Sequence, residues 1–250
     1  MRELCDDAVV LRTYRYREAD RIAVLYTRHH GKVRVLARGA RKTTSRLGAA
    51  LEVLGHVGVD LVATRGELYV ARHVAHRSTL ATLRADFARI SAGYAVVEAL
   101  DALPEGMVDE AVYELAVRVL ATLDNPDYRP ALVPASFYLR LLALDGSAPV
   151  VEACVECGRT APLVAFDAES GGVRCDRCRQ GRALSAEGLA LLRRVLGGEL
   201  AQVLRESDPP GGAEVGALAH EAAEAHLGRP LRALRAVATA APGAEGPGGR

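Results

Sequence analysis

The 250-residue chain has almost no net charge: 32 Lys+Arg stand against 31 Asp+Glu, a balance of +1. Taken whole, that argues against a strongly basic nucleic-acid binder. There is no uninterrupted apolar run of about 18 residues, so no membrane-spanning helix is expected. Met1–Asp7 is polar and charged, unlike the apolar centre of a secretion signal. Only Lys32 and Lys42 are lysines; every other cation of fixed charge is arginine. Catalytic signatures are missing too. There is no Gly-rich nucleotide-binding loop, no nucleophile elbow and no acidic pairing suited to two-metal nuclease chemistry. The adjacent Asp6 and Asp7 read as a solvated turn. Cysteines number five, four of them in two Cys-x-x-Cys pairs. That pattern argues for a metal site in a reducing cytoplasm rather than a disulfide framework. With 50% apolar and 25% charged residues, the chain has an ordinary globular balance.

The missing net charge conceals a division. Residues 1–84 hold 16 Lys+Arg against 8 Asp+Glu, a balance of +8, which leaves −7 for residues 85–250. Within residues 12–46, 11 cations face only Glu18 and Asp20. Such asymmetry assigns the N-terminal part to a polyanionic partner.

Residues 1–78 read as a five-stranded barrel. Ala8–Tyr16 is rich in β-formers, and Ile22, Val24 and Tyr26 alternate over Arg21–Thr27. In Lys32–Arg38, Val33, Val35 and Ala37 take one face, and Lys32, Arg34 and Arg38 the other. Period two with one apolar face is the half-buried strand pattern. Residues 39–49 read as a basic loop, and Glu52–Val62 and Leu68–Ala75 as two further strands. Five short strands in this length suit an OB-fold. The period then lengthens. Leu80, Leu83, Phe87, Ile90 and Tyr94 predict a helix capped by Ser78 or Thr79 and running past Val97. Further helices are expected over Met107–Leu123, Pro134–Leu144, Ser185–Arg205 and Glu214–Ala238, the last interrupted near Gly228. The expected organisation is α+β and multidomain. The barrel at 1–78 precedes a helical domain at 79–150 and 183–240, with a metal-binding insert at 151–182 and a disordered Gly/Pro-rich tail at 241–250.

Cys154 and Cys157, then Cys175 and Cys178 after seventeen intervening residues, form two knuckles able to close a tetrahedron around one Zn²⁺. Four thiolates leave no open position, so such a zinc is structural; the spacing alone also admits an iron–sulfur cluster. The insert holds few large apolar groups, and the metal replaces a core. It is expected to brace the helical domain, with Arg159, Arg174, Arg177, Arg179 and Arg182 as the alternative, DNA-touching reading.

On the barrel, Arg12, Tyr14 and Tyr16 share one strand face, a cation interleaved with two aromatics. Lys32, Arg34 and Arg38 share another. The loop from Arg38 to Arg46 adds Arg41 and Lys42, three hydroxyls and Gly39. Cations and aromatic rings together hold single strands, through backbone charge and base stacking. These nine residues are the candidate DNA-binding set, and none of their contacts would read sequence. The five histidines of this part show no metal-ligand spacing with carboxylates, and Cys5 is read as a thiol with no role.

Several stretches together carry a likeness: Glu18-Ala19-Asp20-Arg21-Ile22, Arg28-His29-His30-Gly31-Lys32, Arg38-Gly39-Ala40-Arg41-Lys42, Phe137-Tyr138-Leu139-Arg140-Leu141-Leu142, the two cysteine knuckles, and His226-Leu227-Gly228-Arg229-Pro230-Leu231. Over about residues 1–238 the chain resembles the bacterial recombination mediator RecO family. The resemblance implies an OB-fold, a helical domain and a zinc insert. It implies binding of single- and double-stranded DNA, annealing of complementary strands and cooperation with RecR. It also implies help in loading RecA onto strands coated by the single-stranded-DNA-binding protein SSB, without covalent chemistry, in the cytoplasm at the nucleoid. Residues Asp145-Gly146-Ser147-Ala148-Pro149 depart from the family's pattern. The rival readings are a zinc-ribbon OB protein acting on RNA or transcription, and a metalloenzyme.

Overall fold

The structure, a computed structural model, describes residues 3–233. Five strands come first: β1 (Glu3–Tyr16), β2 (Asp20–Thr27), β3 (Gly31–Ala37), β4 (His56–Ala63) and β5 (Leu68–His76). They close into a barrel of order β1-β2-β3-β5-β4. All neighbours are antiparallel except β3 and β5, which close it in parallel over Arg34–Leu36. This is the OB-fold anticipated from the alternating pattern.

Alternation explains the interior. Val10, Ala23, Leu25, Val33, Val35, Val57, Val59 and Leu61 fill it, with Ala50 and Leu51 closing one end. That end is built by α1 (Arg46–Ala50), inside the stretch read as pure loop. Ser45 starts it by accepting the Gly48 N–H at 3.2 Å, a serine N-cap. Arg21 holds its other end, donating to the carbonyls of Gly48 and Leu51 and to Glu52.

Strand β1 starts at Glu3, so Asp6 and Asp7 lie in the sheet rather than in a solvated turn. The Asp6 side chain is 1% exposed and accepts from His29 and His30, at 3.0 and 2.8 Å. Burial opposes its charge. The imidazoles and the N–H groups of His29 and Asp7 outweigh it, and the carboxyl titrates below its usual range.

The helices follow: α2 (Ala81–Ala85), α3 (Phe87–Ala102), α4 (Glu110–Asp124), α5 (Val133–Leu144), α6 (Ala186–Leu196), α7 (Leu200–Val203) and α8 (Gly212–Leu227). The single helix expected after Ser78 is two. Asp86 is extended and caps α3 through the Arg89 N–H. Phe87 and Tyr94, read as core positions, are 69% and 45% exposed. The buried side of α3 is made of small residues, Ala92, Ala95, Val96 and Ala99, which let neighbouring elements approach closely. The helix expected over 185–205 breaks at Gly197-Gly198, between α6 and α7. Helix α8 ends at Gly228, left-handed at φ 64°, the usual glycine stop. Its expected continuation beyond Ala233, and the tail, lie outside the described residues.

Between α5 and α6, β6 (Leu163–Asp167), β7 (Gly172–Cys175) and β8 (Arg182–Ala183) form a small sheet of order β7-β6-β8. Leu163, Phe166 and Val173 belong to the same continuous core as helices α3–α8. The insert is thus packed into that core. Arg174, with a side chain 9% exposed, is held by Asp167, Ser170 and Glu156. Its guanidinium is tied within the insert.

Barrel and helices share an apolar seam. Val9, Leu11, Val24, Tyr26 and Leu54 of the barrel lie in the helical core cluster. At its edge Gly31 (φ 62°) faces the Met107 carbonyl so closely that a Cβ would overlap it. This position needs glycine for both conformation and space.

Arg89 ties the connection after α4. Its guanidinium donates to the carbonyls of Leu123, Asn125, Pro126 and Tyr128, and the residue is 8% exposed. Arg89→Met keeps the volume and orphans these acceptors. Unfolding by denaturant is expected to show a loss of about 3 kcal/mol; a loss within experimental error would mean water replaces the guanidinium.

Candidate nucleic-acid interface and metal centre

Cross-strand register places the aromatic and basic residues. Arg12 pairs with Val24 and Val24 with Arg34; Tyr14 pairs with Ile22 and Ile22 with Leu36. Directly opposed residues share a face. Arg12, Tyr14 and Arg34 therefore occupy one outer face of β1-β2-β3, around the half-exposed ring of Tyr14. A bulge between Val10 and Arg12 sets this phase, so Leu11 joins the seam while Arg12 turns outward.

The face has two ends with different electrostatics. At the seam, barrel cations meet carboxylates of the helical part. Arg12 lies 3.4 Å from Asp101, Arg34 3.6 Å from Glu105, and Arg28 contacts Glu110 and Glu114 at 2.6 and 3.0 Å. Lys32, expected among the phosphate contacts, is different. Its side chain is 5% exposed, its ammonium donates to the Asp101 carbonyl at 3.0 Å, and Glu105 is 3.5 Å away. A buried, satisfied ammonium is costly to detach, about 3–5 kcal/mol when a partner is lost, whereas an exposed ion pair contributes only about 0–1 kcal/mol. Lys32 is therefore a bolt across the seam, while Arg34, paired with an exposed carboxylate, remains exchangeable.

At the other end, the β1–β2 turn meets the β3–α1 loop. Asp20 accepts the Gly39 N–H at 2.8 Å, the Arg41 N–H bonds the Ala19 carbonyl, and the Arg41 guanidinium donates to the Glu18 carbonyl at 2.6 Å. The last contact makes Arg41 partly a loop-building residue. Arg38, Lys42 and Arg46 are exposed and make no ion pair among the described residues. Arg15 and Arg17 are exposed as well; the Arg17 carbonyl accepts from the Arg41 guanidinium at 3.4 Å, and the Arg17 guanidinium lies over the Tyr16 ring at 5.3 Å. Tyr16 is thus half-covered by a cation. Arg15 and Arg17 contributed to the charge count but to no motif. Arg15 is set by its pairing with Arg21, and Arg17 by a left-handed backbone (φ 51°), which an arginine does not signal.

The four cysteines converge. The Sγ atoms of Cys154, Cys157, Cys175 and Cys178 all lie within 4.8 Å of one another, and those of Cys157 and Cys175 are 3.6 Å apart. A tetrahedral zinc with bonds of ~2.3 Å requires sulfurs ~3.8 Å apart, so the donor set fits one such ion. Local backbone favours thiolates. Burial works against ionisation of Cys154, but N–H groups of Cys175, Cys157 and Glu156 point at its sulfur and hold the thiol near pKa 6. Cys175 is also lowered: burial opposes ionisation, and the Cys178 N–H leads the groups that outweigh it. Cys178 is pushed up to about 12, first by its hydrogen bond to Cys157. Without metal the clustered sulfurs retain a proton that an ion would displace. Cys154 and Cys175 are buried within the helical core cluster. Cys5 is exposed on the barrel, its thiol pushed up mainly by a hydrogen bond with Asp60. Cys175→Ser should lower metal content below one ion per chain and the melting temperature with it. Retention of one tightly bound ion would show that the four sulfurs are not the ligand set.

Residues 1–77 match the family model described as "Recombination protein O N terminal", and residues 84–235 match "Recombination protein O C terminal". The chain is 39% identical over 250 aligned positions to the DNA repair protein RecO of Streptomyces griseus, covering 93% of this chain and 97% of the relative. It is 40% identical to the DNA repair protein RecO of Geobacter sulfurreducens, covering 91% and 94%. No helix among the described residues is long and apolar enough to cross a membrane. With both halves matched and near-complete coverage of such relatives, the chain belongs to the RecO family of DNA repair proteins.

Proposed function

We propose that this protein is a recombination mediator of DNA repair. It binds single- and double-stranded DNA through its barrel and anneals complementary strands. With RecR it helps load RecA onto DNA coated by SSB. It acts in the cytoplasm, at the nucleoid, and makes and breaks no covalent bond. The observation that carries this reading is the set of exposed cations Arg15, Arg17, Arg38, Lys42 and Arg46, which make no ion pair among the described residues, at the β1–β2 turn and β3–α1 loop of an OB-fold that also carries exposed Tyr14.

The mechanism is electrostatic. Two strands approach one another only if their phosphate repulsion is reduced. Guanidinium and ammonium groups on a compact surface release counterions from each strand, without reading its bases. Tyr14 offers a ring for a base to stack on, worth roughly 1–3 kcal/mol. Lys32 stays outside this interface, holding the barrel to the helices. One zinc ion, held by Cys154, Cys157, Cys175 and Cys178, would supply cross-linking and no chemistry on substrate, since four thiolates complete its shell. Among the ribbon arginines, Arg174 and Arg182 are tied internally, Arg182 by Glu221. This supports a bracing role for the insert.

Charge reversal at Arg38, Lys42 and Arg46 together should weaken binding to unrelated single strands alike, by tenfold or more at low salt. It should also flatten the dependence of log K on log salt by about two to three. Annealing of complementary strands should fall in parallel. Unchanged affinity and slope would remove this surface from the interface. Preference for RNA over DNA of the same sequence in competition would favour an RNA-directed role instead.

A further inference from the structure

A cleft of about 320 Å³ lies where the barrel rim meets the α3–α4 connection, lined by His30, Lys32, Arg34, Glu67, Tyr69 and Glu105. It continues the outer face that carries Tyr14, because Arg34 shares the cross-strand row of Arg12 and Val24. Its one loosely held partner is Glu105. That carboxylate is 63% exposed and reaches Arg34 at 3.6 Å and Lys32 at 3.5 Å. The Arg34 side chain is 44% exposed, so it is reachable from solvent. Arg12 differs: its partner Asp101, at 3.4 Å, is largely buried.

We propose that this cleft is a phosphate subsite of the nucleic-acid path and that Glu105 is its built-in competitor. The proposal rests on the reading of the barrel as a nucleic-acid interface. A carboxylate on a short connection supplies one negative charge to Arg34 in the unliganded protein. A backbone phosphate supplies the same charge on two non-bridging oxygens, in the geometry an arginine fork accepts. Exchange leaves the fold intact, because Lys32 keeps its bond to the Asp101 carbonyl. Binding of a strand therefore releases Glu105 from the barrel and extends the path from the Arg38–Arg46 loop towards the helices. The affinity measured at the open cluster is reduced by the competition at this subsite.

The test uses the full chain and a single-stranded oligonucleotide long enough to span the barrel, with three variants: Glu105→Gln, Arg34→Gln and the pair together. Glu105→Gln should tighten binding about threefold at low salt and steepen the salt slope by up to one. Arg34→Gln should cancel that gain in the double variant. Thermal unfolding of each variant, close to the parent because both side chains are exposed, separates binding from folding. If Glu105→Gln leaves affinity unchanged or weakens it while reversal of Arg38, Lys42 and Arg46 weakens binding as expected, the subsite is refuted and the nucleic-acid reading stands. If neither change alters binding, both are refuted. A gain that persists without Arg34 would assign Glu105 to general charge repulsion and overturn the subsite.

Discussion

The seam between barrel and helices is the contact on which both candidate surfaces depend. Five apolar barrel side chains, Val9, Leu11, Val24, Tyr26 and Leu54, are buried in the helical core. At about 2 kcal/mol each, their burial amounts to ~10 kcal/mol as an upper estimate. The half-exposed ion pairs around them each contribute a fraction of that. Hydrophobic burial therefore holds the two parts together. The polar contacts fix their register: Lys32 to the Asp101 carbonyl, His56 to the Tyr113 hydroxyl at 3.0 Å, and Arg28 to α4.

That register distributes the charge. The barrel's excess of cations is divided by position into those consumed at the seam and those left open around the β1–β2 turn. The same outer face of β1-β2-β3 serves both, changing from apolar and paired near Val9 and Lys32 to aromatic and unpaired near Tyr14 and Arg38. On the proposed reading, a strand along this face would run from open cations towards cations already holding carboxylates. The acidic half is thus part of the electrostatics of the basic half, and a whole-chain charge of +1 describes neither.

The cysteine insert follows the opposite logic. Its ligands are local in sequence, two knuckles separated by a short ribbon, and its sheet has little apolar area of its own. What it has is given to the helical core through Leu163, Phe166 and Val173. Arg174 and Asp167, nearly buried, complete a polar network inside the ribbon instead of facing a ligand. Two of the four sulfurs, those of Cys154 and Cys175, lie in that same core, so a metal held there would be tied directly into the helical packing.

Features set by short-range pattern were legible in the sequence. Alternation identified the barrel strands, because one face of each had to be apolar to close around a core. The spacing of Cys154, Cys157, Cys175 and Cys178 identified a metal site, because a knuckle is a local geometry. Glycine and serine marked the end of α8 and the start of α6, where backbone conformation and orphan N–H groups demand them. What depended on long-range packing was not legible. Phe87 and Tyr94 carry a helical period yet face solvent, because small residues made the closer contacts of α3. Asp6 looked solvated and lies buried under two histidines of a neighbouring turn. Lys32 has the same strand phase as Arg34, and only the approach of the α3–α4 connection buries one and leaves the other reachable. The sequence by itself determined which residues could bind phosphate or metal; the tertiary structure decided which cations remain free to do so, because a charge is available to a ligand only where the fold has not already paired it.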